Sequence, residues 1–309
     1  MLALLGSAAF GQTQGNQNEV HILPIRNNVY MLVGAGGNIT VQTGDEGILL
    51  VDTGTAAMSN KVLAAIRTVS TKPIRYIINT GDGDDHTGGN ETIGKAGSII
   101  PFGNLANVQA RFTAEGASII SQLNVFTRMS APVGKSAPTP EAAWPNNTYS
   151  TPQKKLYFND EPIMIMHQPA NTDGNSIVLF RKADIISAGD LVDLTAYPYI
   201  DVKNGGSIQQ IVAGLNRLID TTIPSGHAEG GTLVIPGHGR LCDQGDIVVY
   251  QQMATIVRDR IQDMVKRGMT LEQVKAAKPT ADYDVRYGKS TGPWTTDMFV
   301  EAAYQSLKK

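Results

Sequence analysis

One stretch organises this chain of 309 residues, and it reads Asn79-Thr80-Gly81-Asp82-Gly83-Asp84-Asp85-His86-Thr87-Gly88-Gly89-Asn90. It follows residues 74–78, a β-branched and aromatic run that is typical of a buried strand. Three carboxylates and an imidazole lie close together on glycine-rich backbone, which can turn sharply. Like charges at about 4 Å repel by roughly 4 kcal/mol at an effective dielectric of about 20. The stretch therefore predicts either a solvated turn or a cation site at the end of a strand.

The same stretch resembles the signature loop of the metallo-β-lactamase superfamily, whose pattern is N-T-H-x-H-x-D-H-x-G-G-N. The Asn-Thr pair and residues 85–90 match that pattern. Gly81 and Gly83 stand where the superfamily carries its first two metal-binding histidines.

Four further segments resemble landmarks of this superfamily, and they occur in the expected order. They are residues 47–54, 168–176, 187–191 and 234–239. Together with the first stretch they extend the resemblance over about residues 20–245. The resemblance implies an α+β fold, namely a four-layer αββα sandwich.

The resemblance also implies two metal sites, and the first of them is predicted to be lost. Its three histidines would fall on Gly81, Gly83 and Asn171. Glycine offers no ligand, and an amide is a poor ligand for zinc. At most one metal ion is therefore expected.

The second site implied by the resemblance keeps all its residues. It would use Asp85, His86 and His238, with Asp190 as the formerly bridging carboxylate. Two carboxylates and two imidazoles form a full ligand set for one zinc ion. Iron or manganese is the alternative, and no metal at all is the remaining possibility. Asp85 and Asp190 are also the candidate catalytic residues, because either could orient a water molecule or accept its proton.

The composition limits the partners of the protein. The chain is 41% hydrophobic and 17% charged, with a formal net charge of −2. This is an ordinary globular composition without a basic block, so nucleic acid and anionic membrane surfaces are excluded as expected partners. A small-molecule substrate or ligand is expected, and the oligomeric state is left open.

The chain divides into a short N-terminal segment and one domain. Residues 1–19 combine an apolar run, small residues and a polar tail, which resembles the end of a signal peptide without its basic start. They predict export to the periplasm or beyond, with a cytoplasmic location as the alternative. Residues 20–309 are predicted to form a single domain with an irregular insert at about 111–158. This insert is rich in proline and aromatic residues and is either a lid over the site or an anchored loop.

Three functions remain open at this point. The first is a one-metal hydrolase of an ester, amide, lactam or phosphoester. The second is a catalytically inactive pseudoenzyme that binds a small molecule or a protein. The third is an aspartic-protease-like protein that uses Asp52-Thr53-Gly54, although such enzymes pair two aspartates and the chain has no second turn of this kind.

Overall fold

The computed structural model describes residues 19–99, 116–132, 137–226 and 230–308. Residues 1–18 lie outside the described part, so the expected signal peptide and export stay predictions. No helix of the described residues has both the length and the apolar character needed to cross a bilayer.

The described residues form twelve strands and nine α-helices. The strands are β1 (His21–Arg26), β2 (Val29–Val33), β3 (Ile39–Gly44), β4 (Gly47–Val51), β5 (Ile74–Ile78), β6 (Ser118–Gln122), β7 (Asn147–Tyr149), β8 (Gln153–Phe158), β9 (Glu161–His167), β10 (Ser176–Phe180), β11 (Ile185–Asp193) and β12 (Leu233–His238). The helices are α1 (Ser59–Arg67), α2 (Asp84–Thr87), α3 (Asn90–Lys95), α4 (Leu123–Ser130), α5 (Ile208–Thr221), α6 (Gln244–Lys266), α7 (Leu271–Ala276), α8 (Asp284–Tyr287) and α9 (Thr296–Leu307).

The strands form two sheets. The first sheet has the order β1-β2-β3-β4-β5-β6-β7 and changes from antiparallel to parallel pairing at β4. The second has the order β12-β11-β10-β9-β8, in which β11 and β12 pair in parallel. Parallel neighbours need a crossover, which α1 provides between β4 and β5 and α5 provides between β11 and β12.

Strand β4 shows how the first sheet is covered on both faces. Successive side chains of a strand point to opposite faces. Ile48 and Leu50 pack in a cluster that includes buried residues of α1 and α3. Leu49 and Val51 pack instead against residues of the second sheet. All four side chains are fully buried, so the strand lies between a helical layer and the other sheet.

The second sheet is covered in the same way. Ile185 faces the first sheet, whereas its neighbour Ile186 packs in a cluster with residues of α5, α6 and α9. The layers therefore run helix, sheet, sheet, helix. This architecture confirms the predicted αββα sandwich.

Helix starts follow their capping residues. The Ser207 side chain accepts a hydrogen bond from the backbone N–H of Gln210 and begins α5. Thr270 and Gln273 form a capping box at the start of α7.

The prediction of an irregular insert at about 111–158 is wrong for most of its described residues. Strands β6, β7 and β8 and helix α4 all fall in this range. Strand β6 pairs in parallel with both β5 and β7. It is buried along its whole length, although two of its five residues are serines, which do not indicate a buried strand. Helix α4 has only eight residues, too few for a clear periodic pattern. The single-domain assignment itself stays a prediction.

Candidate metal centre

The candidate site lies where strands of both sheets end. Asp85 and His86 sit on α2, which follows β5 after a five-residue turn. Asp190 lies on β11, and His238 is the last residue of β12. Gly189, just before Asp190, has a φ of +52°, and a Cβ there would lie 2.5 Å from Oγ1 of Thr80. Glycine therefore lets β11 approach the loop that carries the first two residues.

The four side chains named from the sequence come together. Nε2 of His86 lies 3.0 Å from Oδ1 of Asp190 and 3.8 Å from Oδ1 of Asp85. Nε2 of His238 lies 2.8 Å from Oδ2 of Asp85 and 3.5 Å from Oδ1 of Asp190. Within the described part of the chain, ligand atoms of Asp85, Asp190 and His238 all lie within 4.8 Å of one another. His86 adjoins this group through Asp190.

Asp52 orients His86. Its Oδ2 lies 2.9 Å from Nδ1 of His86 and accepts a hydrogen bond from the Thr80 hydroxyl at 2.6 Å, while Oδ1 accepts from the Thr80 N–H at 2.8 Å. Asp52 is buried and has a φ of +65°, a strained backbone that the surroundings must hold in place. Both carboxylate oxygens are engaged in this way. Asp52 is thus engaged with His86 and Thr80, and nothing in the described residues supports the aspartic-protease alternative for Asp52-Thr53-Gly54.

The backbone of His86 is held as firmly as its ring. Its carbonyl accepts hydrogen bonds from the Thr53 N–H, the Thr53 hydroxyl and the Asn79 amide, all at 3.0–3.1 Å. Asn79 and Asn90 also exchange hydrogen bonds between their side chains. The two asparagines of the signature pattern thus have a structural task, since they fix the loop that presents the imidazole.

The charges of the site shift the pKa values of its members strongly. Burial opposes the protonation of His86, but the carboxylates of Asp190, Asp52 and Asp85 outweigh it and raise the pKa of His86 well above its usual range. The hydrogen bond with Asp85 raises the pKa of His238. Burial would raise the pKa of Asp85, yet His86 and His238 hold this pKa well below its ordinary value. Without a cation, the two carboxylates are balanced by protonated imidazoles.

These residues fit a metal ion. His86 Nε2 and Asp190 Oδ1 are buried and lie 3.0 Å apart, yet neither has a hydrogen-bond partner in the described residues. Such a pair is expected where two ligands point at a third atom. In a neutral His86, the hydrogen bond with Asp52 keeps the proton on Nδ1 and leaves the lone pair of Nε2 free. Metal-binding histidines are commonly held by a carboxylate in this way.

Among the described residues, the other half of the site has no comparable ligand set. Gly81 and Gly83 carry no side chain, and the Asn171 amide donates to the carbonyls of Asp190 and Tyr199 at 3.0 and 2.9 Å. Arg128 pairs with Asp82, which stands between Gly81 and Gly83. The loss of the three-histidine metal site stays a prediction.

Two contributors to the site are absent from the predicted site residues. Asp52 belongs to the predicted landmark at residues 47–54 and to the protease alternative, but its place at the end of a buried strand could also have indicated a role at the same edge as His86. Arg128 lies in the range assigned to the irregular insert, and nothing near it in the sequence indicates its partners. Its contact with Asp82 joins residues 46 positions apart.

Comparisons with known proteins agree with the resemblance found in the sequence. A sequence model described as the metallo-beta-lactamase superfamily matches residues 32–227. A search of curated proteins found no significant match. Among solved structures, the inverting sec-alkylsulfatase Pisa1 from Pseudomonas sp. is similar at a TM-score of 0.64 and 13% identity, over 93% of this chain and 50% of that one. This chain thus spans about half the length of the alkylsulfatase.

Two smaller enzymes are covered almost completely. A metallo-beta-lactamase from Pontibacter korlensis has a TM-score of 0.55 and 18% identity, with 77% of this chain and 99% of that chain covered. The DIM-1 metallo-beta-lactamase has a TM-score of 0.55 and 15% identity, with 77% and 97% covered. At these identities the likeness concerns the fold alone.

Proposed function

The chain belongs to the metallo-β-lactamase superfamily, and from that premise we propose that it is a hydrolase with one divalent metal ion. The ion would be held by Asp85, His86, Asp190 and His238. Zinc is the first choice, with iron or manganese as alternatives, because two imidazoles and two carboxylates suit all three ions. The proposed substrates are esters, amides, lactams and phosphoesters, to which the similarity with an alkylsulfatase adds sulfate esters.

One observation carries this proposal. His86 Nε2 and Asp190 Oδ1 are buried and lie 3.0 Å apart, yet they make no well-formed hydrogen bond with each other or with another described residue, while Asp52 holds the far side of the imidazole. Buried polar atoms without a well-formed hydrogen bond keep part of their desolvation cost uncompensated. A pair of such atoms in the midst of four potential ligands favours a cation as the missing partner.

The chain's own residues have distinct tasks in this proposal. A divalent ion, when bound, supplies a Lewis acid and makes a water molecule acidic enough to act at neutral pH. Asp52 keeps the proton of neutral His86 on Nδ1. Asp85 and Asp190 are about one-quarter exposed, so a carboxylate oxygen of either can orient water at the mouth of the site and accept its proton.

A second candidate is a binding module without catalysis. Its support is the replacement of ligand positions by Gly81, Gly83 and Asn171, together with the neutralising pair Arg128 and Asp82. On this reading the cleft binds a small molecule or a protein.

The first experiment is metal analysis by mass spectrometry on protein purified without chelator or metal-affinity tag. About one metal ion per chain is expected in the wild type and none in Asp85→Ala/His238→Ala. The double variant His21→Ala/Asp259→Ala removes the same residue types from exposed positions and should keep its metal. No metal after addition of zinc, iron or manganese would contradict the metal site.

The second experiment is a hydrolysis screen with an aryl ester, a phosphodiester, a sec-alkyl sulfate and a β-lactam. Turnover is expected to stop with chelator and to return with metal. Turnover that persists in Asp85→Ala would refute the hydrolase proposal. One bound metal without turnover of any substrate would favour the binding module.

A further inference from the structure

Arg128 joins two loops of the candidate site. It lies in the last turn of α4 and donates through Nε and Nη2 to the two carboxylate oxygens of Asp82, at 2.8 and 3.0 Å. Its Nη1 donates to Oδ1 of Asp173 at 2.5 Å, and Nη2 also donates to the Thr172 hydroxyl at 3.1 Å. Four of the five N–H groups of the guanidinium therefore have partners.

These partners belong to the two segments in which the expected histidines are missing. Asp82 stands between Gly81 and Gly83, three residues before Asp85. Thr172 and Asp173 directly follow Asn171 in the loop between β9 and β10. In the superfamily pattern, a metal ion would connect these two loops. Here the Arg128 guanidinium connects them instead.

The guanidinium is tightly enclosed. The Arg128 side chain is 18% exposed, and a Cβ at Gly174 would lie only 2.5 Å from Nη2, so glycine at this position leaves room for the guanidinium. The Asp173 N–H donates to the carbonyl of Asn204 at 2.9 Å, and the Thr172 N–H donates to the Asn175 amide at 2.6 Å. Both ends of the bridge are thus anchored. The planar guanidinium makes two parallel hydrogen bonds to the Asp82 carboxylate, and this geometry fixes the orientation of the two groups as well as their distance.

We propose that Arg128 is a positioning residue: a built-in cation that joins the loop of Asp82 to the loop of Asp173 and so holds Asp85 and His86 in place. Its partners adjoin Gly81, Gly83 and Asn171, the positions where the expected histidines are missing. The metal-related part of this inference rests on the proposed function, whereas the joining of the two loops does not.

The test combines hydrogen exchange with metal affinity in Arg128→Gln. Exchange measured by mass spectrometry should become faster in both loops, residues 79–90 and 168–176, while α6 stays unchanged. The Kd for zinc, measured by competition with a chelating dye under native conditions, should rise about tenfold, the lower end of what partners outside the ligand set contribute. Lysine keeps the positive charge but cannot make the two parallel hydrogen bonds to Asp82. Arg128→Lys should therefore have a loop exchange rate and a zinc Kd between those of the wild type and those of Arg128→Gln.

Two controls make the outcome decisive. Arg260→Gln removes a guanidinium that is paired with Asp282 away from the site, and it should change neither the loop exchange nor the Kd. Asp82→Asn keeps Arg128 and its helix but removes the bidentate partner. It should reproduce the loop exchange of Arg128→Gln, and it replaces that variant if Arg128→Gln does not fold.

The proposal would be overturned if one of the two loops exchanged at the wild-type rate in both variants, Arg128→Gln and Asp82→Asn. A loss of global stability with an unchanged Kd would also overturn the positioning role. If the wild type binds no metal, the proposed function fails, and the loop exchange alone decides whether Arg128 joins the two segments.

Discussion

Asp52→Asn is the substitution that tests the metal centre most directly. The change keeps the size of the side chain and the oxygen that accepts from the Thr80 N–H. It replaces the oxygen beside His86 Nδ1 and the Thr80 hydroxyl by an amide NH₂ group. The hydroxyl can rotate and accept, but an N–H on Nδ1 would then face another donor.

The imidazole can relieve this conflict by moving its proton to Nε2. That atom is the one that faces Asp190, and a protonated nitrogen cannot bind a metal. We therefore expect metal affinity to fall about 10- to 100-fold, or about 1.4 to 2.7 kcal/mol. The metal-free protein loses a charge-assisted hydrogen bond, so its free energy of unfolding should fall by about 1.5 to 3 kcal/mol.

The assay is zinc competition with a chelating dye at pH 7.5 on folded protein, with urea unfolding of the metal-free form beside it. The matched control is Glu161→Gln, a second buried carboxylate, which accepts from the backbone N–H groups of Lys182 and Ala183 away from the site. It should lose stability but keep its metal affinity. An affinity of Asp52→Asn within twofold of the wild type, or an equal fall in Glu161→Gln, would refute the orienting role of Asp52.

Three further predictions concern the lost ligands, the pH dependence and the core. The first changes Gly81, Gly83 and Asn171 to histidine together. Metal content should then rise from about one toward two ions per chain, and an unchanged content would contradict the alignment of the site with the superfamily. In the chelated protein, the raised pKa values of His86 and His238 stabilise the fold fully below about pH 6.5 and progressively less as pH rises through those values. Its thermal midpoint should therefore fall as the pH rises above 6.5, and His238→Gln should flatten this slope. A midpoint that rises above pH 6.5 would contradict the assigned charges. Phe158→Ala removes a buried ring at the interface of the sheets and should cost about 3–5 kcal/mol in urea unfolding, whereas the exposed neighbour Tyr157→Ala should change stability by about 0.5 kcal/mol or less.

The fold was predictable because its landmarks are local. The run before the site loop contains a β-branched strand signal, and Asp85 and His86 stand within the loop itself. Their closeness to Asp190 and His238 came from the order of motifs in the superfamily. Spacing alone could not have given it, since Asp85 and His238 are 153 residues apart in the sequence.

Other features could not be read because their signals are weak or long-range. Strand β6 contains polar residues although it is fully buried, since its neighbours in the sheet and not its own alternation determine its place. Arg128 has no charged neighbour that would reveal a pairing with Asp82 and Asp173. A guanidinium can meet any carboxylate that the fold brings near, so such a bridge becomes visible only in three dimensions.

The candidate site is divided evenly between the two halves of the chain. The first sheet and its connections supply Asp85 and His86, and the second sheet supplies Asp190 and His238. Neither half holds more than one carboxylate and one imidazole of the set, so a complete site exists only after the halves have docked. If the halves dock after the folding transition state, a bound metal would stabilise contacts that are absent from that state, and such contacts act on the unfolding rate. Zinc is therefore expected to leave the refolding rate nearly unchanged and to lengthen the lifetime of the native state.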